Sequence, residues 1–123
     1  MRLLATLIAL LLSSAPAWAQ AASVVGTWQA DFKGKEREDI PRTVVVRGDS
    51  SASYGTETVR WRLKADSIAL VLGGEWVTYR MKLKGSALTL SGGDLTEPIT
   101  LTRVGPPTPR PDSIAIPPDP DTQ

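Results

Sequence analysis

The chain of 123 residues contains no histidine and no cysteine. Without imidazole there is no Ser-His-Asp relay and no side chain that titrates near neutrality by default. Without thiols there is no Cys nucleophile and no disulfide, and the usual zinc ligand sets lack both their nitrogen and their sulfur donors. These absences predict a protein that is not an enzyme and holds no cofactor or metal. Paired carboxylates are the one route left to acid–base chemistry. The only tight acidic group is Glu36, Glu38 and Asp39. Lys33, Lys35 and Arg37 interleave with it, which predicts a self-solvating loop rather than a calcium site.

An excess of charge of one sign is missing too. Removal of Arg2 with an N-terminal leader leaves 13 basic residues against 13 acidic ones. No basic stripe points to nucleic acid. Long apolar runs are absent after the first, Leu3 to Leu12, so no membrane-spanning segment is expected in the mature chain. That first run follows Arg2 and precedes Ala17-Trp18-Ala19, a small-x-small cleavage pattern. The expectation is a signal peptide over 1–19 and an exported protein, periplasmic or secreted, beginning at Gln20. No cysteine stands ready for a lipid anchor.

Proline is scarce until the end. Seven of the ten prolines fall in 106–123, the stretch PPTPRPDSIAIPPDPDTQ. A segment so poor in N–H donors joins neither ladder nor helix, which predicts a disordered tail over 105–123. A polyproline ligand for an aromatic groove is the functional alternative.

What remains, 24–104, is one domain of about 80 residues with no disulfide to staple it. It alternates with period two. Val59, Trp61 and Leu63 face one way, against Arg60, Arg62 and Lys64. Val77, Tyr79, Met81 and Leu83 face one way, against Thr78, Arg80, Lys82 and Lys84. Trp28, Ala30 and Phe32 begin the series, and Ile99 and Leu101 end it. Gly-, Asp- and Ser-rich breaks separate the runs. LKADSIALVLGG and LKGSALTLSGG repeat one hairpin plan at a spacing of 20 residues. About eight short strands with tight turns predict an all-β, antiparallel up-and-down meander. Closing it into a barrel buries the apolar face and removes the open edges.

The first strand opens with Gly26-Thr27-Trp28, and the last ends with Arg103. A Gly-x-Trp at the start of an exported meander barrel resembles the lipocalins, and most nearly short bacterial lipocalin-like domains. The resemblance implies that Trp28 closes one end of the barrel with Arg103 across its ring and Gly26 beside it. It also implies that the barrel binds a small apolar or amphipathic molecule. Tyr54, Trp61, Tyr79 and Met81 are the candidate lining residues. The chain lacks the Thr-Asp-Tyr motif of full members and is much shorter.

An eight-stranded barrel is wide enough to be filled by its own side chains or to hold one small ligand. A filled barrel would be an envelope interaction module instead. It would meet a partner protein or polymer through the basic row Arg60, Arg62, Lys64, Arg80, Lys82 and Lys84, or through the proline-rich tail. The Arg47-Gly48-Asp49 tripeptide resembles an adhesion motif, but Gly-Asp is also ordinary turn chemistry.

Overall fold

The computed structural model describes residues 23–32, 37 and 39–122; the leader predicted over 1–19 lies outside them. Eight strands follow one another: β1 Gly26–Ala30, β2 Thr43–Val46, β3 Ser51–Tyr54, β4 Glu57–Lys64, β5 Ser67–Leu72, β6 Glu75–Lys84, β7 Ala87–Ser91 and β8 Ile99–Gly105. Each pairs antiparallel with the next, and β8 returns to β1, so the meander is a closed barrel. The expected all-β architecture is the observed one. β1 stops at Ala30, one alternation short of the expected stretch, and Phe32 packs against the core from the loop that follows.

The register carries the inward residues into one lattice. Trp28 lies between Val44 on β2 and Arg103 on β8, with a bulge beside it on the β8 side. Trp61 pairs with Leu70, Leu70 with Val77, Ile68 with Tyr79, and Leu88 with Leu101. Trp28, Tyr79, Leu88, Leu101, Val24, Val46 and Val59 are fully buried. Burying this set is what closes a barrel that no disulfide supports.

The repeated hairpins are β4–β5 and β6–β7, whose two-residue turns link Lys64 to Ser67 and Lys84 to Ala87. The first turn places Ala65 at φ +54°, while its counterpart in the second is a glycine. A Cβ in the left-handed region is strained, so Ala65→Gly is expected to stabilise the chain, by about 0.5–1 kcal/mol after the added flexibility of the unfolded state. The shift of the urea midpoint measures it.

The tail is the main departure from expectation. Residues 106–122 are not left free but lie across the outside of the barrel as a strap. Thr27 Oγ1 donates to the Pro106 carbonyl at 2.8 Å, and Arg47 Nε to the Thr108 carbonyl at 2.6 Å. Arg60 Nε donates to the Pro117 carbonyl at 2.7 Å. The strap ends in a 3-10 turn at Pro120–Thr122. Proline removes donors but leaves carbonyl acceptors, and the barrel's arginines supply the donors.

Candidate functional site

The two ends of the barrel are built differently. At the end holding the β2–β3 turn, the Trp28 indole N–H donates to the Val24 carbonyl at 2.9 Å. The Arg103 guanidinium lies 4.8 Å from the centre of its ring and donates to the Ser23 carbonyl. A Cβ on Gly26 would sit 3.3 Å from the Gly105 carbonyl oxygen and 3.4 Å from Arg103 Nε, so the absent side chain is what admits the arginine. The structure thus brings Gly26, Trp28 and Arg103 together.

At the opposite end the long β1–β2 loop is clasped to the β7–β8 loop. Arg37 grips Asp39 with two hydrogen bonds, of 2.9 and 2.5 Å, and donates to the carbonyls of Glu97 and Pro98. The Thr96 amide and hydroxyl both donate to Asp39, each at 3.2 Å. Asp39 is committed to this clasp; Glu36 and Glu38 of the acidic group lie outside the described residues. Among the described residues no acidic cluster is arranged to hold a metal ion.

The Arg37 hydrogen bonds, and then the Thr96 amide, hold the Asp39 carboxyl well below the ordinary carboxylate range. A depressed folded-state pKa gives stability that is complete above the unfolded value, 3.8, and is lost as pH falls below it. Asp39→Asn is therefore expected to lower the urea midpoint at neutral pH and to flatten its fall in acid. Matching acid limbs in the two proteins would show the clasp to be inert.

The four lining candidates do not converge on one site. Trp61 is buried, and its indole N–H donates to the Arg47 carbonyl at 2.8 Å, at the β2–β3 end. Tyr79 is buried and donates to Asp94 Oδ1 at 2.7 Å, at the other end. Tyr54 reaches the Asp39 carbonyl at 3.4 Å at that same end. Burial first, and then the bond to Asp94, pushes the Tyr79 hydroxyl up; burial does the same for Tyr54. Met81 is half-buried and packs against the core cluster. The polar tips that could orient a ligand are thus taken by the chain's own groups.

The outer face of β4–β6 is where unlike chemistries meet. The Arg62 guanidinium stacks 3.9 Å from the centre of the Trp76 ring. The pair bridges β4 and β6 over β5, where Ala69 is the partner of Arg62 and Val71 of Trp76. Ala69 and Val71 point outward, yet they are 2% and 6% exposed and stand outside the inner cluster. The strap completes this face. Trp76 Nε1 donates to Asp119 Oδ1 at 2.9 Å, and Arg62 Nη2 to Asp121 Oδ2 at 3.0 Å. Asp119 also accepts the Asp121 amide at 2.8 Å; that bond, then Trp76 and the nearby arginines, lowers its pKa.

The basic row is therefore divided. Arg60 and Arg62 lie under the strap, while Lys64, Arg80, Lys82 and Lys84 are exposed. Lys64, Ser67 and Arg80 are register neighbours across the three strands, so charge continues along this face.

The adhesion-like tripeptide is occupied internally. Arg47 is 6% exposed and donates to Thr108, Ser51 and Ser53. Asp49 accepts from the Ser51 amide and hydroxyl and pairs with Arg110 at 3.3 Å.

Two clefts among the described residues flank the strap. One of about 520 Å³ lies between the β2–β3 turn and 107–113. One of about 230 Å³ lies between Val71, the Gly73-Gly74 turn and Pro117, Pro118 and Pro120.

Sequence reasoning missed Trp76, Asp119 and Asp121. The available signal was a tryptophan on the outward phase of a strand in a chain with few aromatics, together with paired aspartates in the tail. No helix among the described residues is long and apolar enough to cross a membrane. The closed eight-stranded barrel is compatible with the lipocalin-like resemblance, which rests on the residues quoted for it. No protein-family model, curated protein or solved structure matches the chain.

Proposed function

We propose that this chain is an exported, non-catalytic interaction module: a filled barrel that offers the outer face of β4–β6, with its strap, to a partner in the cell envelope. The observation that carries this reading is the cradle of Arg60, Arg62 and Trp76. It is a charged and aromatic surface assembled on rigid strands, the composition enriched where proteins meet. Strands hold such a site more firmly than loops do.

The second reading is a small apolar or amphipathic ligand inside the barrel. The phenols of Tyr54 and Tyr79 at one end favour it, as groups that could orient an amphipathic head. Their bonds to Asp39 and Asp94 weigh against it.

Native mass spectrometry on 20–123, purified gently from the exported fraction, separates the two. The expected result is a bare chain. A stoichiometric added mass of a few hundred daltons would overturn the filled barrel and begin to identify a cargo.

A further inference from the structure

Within the interaction-module reading, we propose that the Arg60–Arg62–Trp76 cradle is a docking site for an extended, acidic, proline-containing segment of a partner protein. Residues 116–122 of the strap are its resident occupant in cis.

Three features support a separable site rather than a simple packed end. First, the cradle has internal order of its own: the stack of Arg62 on Trp76 over Ala69 and Val71 is made entirely by the barrel. Second, the strap is held through acceptors. Arg60 takes the Pro117 carbonyl, Trp76 takes Asp119, and Arg62 takes Asp121. These are contacts that any chain with a proline carbonyl and two suitably spaced carboxylates can make. Of the strap's two isoleucines, Ile114 is 44% exposed, while Ile116, beside Pro117, is half-buried and is the strap's one apolar contribution next to these polar contacts.

Third, the strap fits imperfectly. Arg62 Nε is buried and has no hydrogen-bond partner. A cleft of about 230 Å³ also stays open beside Pro117, Pro118 and Pro120. A buried donor left unmatched is a cost that a better occupant removes. The favoured partner therefore carries one more acceptor, placed to reach Arg62 Nε, and a side chain that fills the space beside Val71. Charge complementarity sets its sign, because Lys64 and Arg80 extend the basic face beyond the strap.

The strap competes from within the same molecule, at an effective concentration of about a millimolar. Added peptide should therefore bind the intact chain weakly and a strap-released chain well. The test uses the full mature chain and its Asp119→Asn/Asp121→Asn variant. The probe is a synthetic peptide of sequence IAIPPDPDT, residues 114–122. The readout is the indole N–H resonance of Trp76, assigned by Trp76→Phe.

Release of the strap is expected to shift that resonance. The peptide should return it towards the wild-type position, with an affinity at least about tenfold tighter than for the unaltered chain. Arg62→Ala in the released chain should abolish the return, while the resonances of Trp28 and Trp61 stay in place and report an intact barrel.

An unmoved Trp76 resonance in the double variant would overturn the proposal, since the carboxylates would then not hold the strap. Equally fatal would be a released, folded chain that ignores the peptide. Concentration-dependent dimerisation of the released chain would overturn the assignment to a partner protein, in favour of strap exchange between copies. A mass-spectrometric cargo would sink the filled barrel without touching the peptide result, so the two failures are distinguishable.

Discussion

Trp28→Ala is expected to leave the chain largely unfolded at room temperature. The ring is fully buried, and it sits in register between Val44 and Arg103 at the seam that joins the first strand to the last. Truncating a buried tryptophan costs about 3–5 kcal/mol through lost transfer energy and the void left behind. The stack with Arg103 adds about 0.5–2 kcal/mol. Small domains have about 5–15 kcal/mol in total, and one of this size without disulfides lies towards the lower end. The substitution also strands Arg103, whose Nε is already buried without a partner. Urea unfolding followed by far-ultraviolet circular dichroism measures the loss. Arg103→Lys should cost far less than Trp28→Ala, since it keeps the charge and loses the flat stack. A loss below about 1 kcal/mol for Trp28→Ala would show that the barrel closes without its plug.

Gly93→Ala should be the most disruptive of the conservative single substitutions, although Gly93 lies on the surface. Its φ is +57°, where a Cβ costs about 1–2 kcal/mol. The added methyl would also stand 2.8 and 2.9 Å from the Tyr79 ring and 3.0 Å from the Thr78 carbonyl. Tyr79 cannot swing aside, because it is 1% exposed and tied to Asp94. Overpacking of that kind costs about 1–3 kcal/mol, so a total of about 2–5 kcal/mol is expected. Gly92 provides the control. It too has a positive φ, +79°, but a Cβ there meets nothing within 4 Å. Gly92→Ala should therefore show only the backbone cost. Equal losses at the two positions, in matched urea titrations, would mean that Tyr79 does not press on the turn.

These two residues also show what local pattern can carry. Trp28 is legible because a tryptophan on the apolar phase of a first strand has few places to go, and the motif names its partner. Val59, Trp61 and Leu63 face inward as their alternation requires, because a pleated strand with one charged face has only one way to bury the other. The repeated hairpins are legible for the same reason. The pressure of Tyr79 on Gly93 is not, since it depends on how the β7–β8 loop folds back over β6.

The outer face was hidden for a deeper reason. Alternation assigns Trp76, Arg60 and Arg62 to the outside and says nothing of what covers them. Their partners lie 43 to 59 residues away in a segment whose composition reads as disorder. Proline content reports the missing donors; it is silent about carbonyl acceptors, and those are what the arginines use. Trp61 and Tyr79 illustrate the reverse. Both stand among the candidate lining residues, and each polar tip is satisfied by a group that only the closed barrel brings near: the Arg47 carbonyl and Asp94.

The most direct test is the backbone dynamics of the strap. Amide heteronuclear Overhauser measurements on residues 20–123 read Ser113 to Ala115, Asp119, Asp121 and Thr122 against the strands. If the strap is held in the cradle, Asp119 and Asp121 should have values close to those of β4–β6, with a dip around Ser113 to Ala115. Values near or below zero at the tail's amides from Thr108 to Thr122 would mean a free tail and an uncovered face. The cradle would then have no resident occupant, contradicting the strap as its occupant in cis.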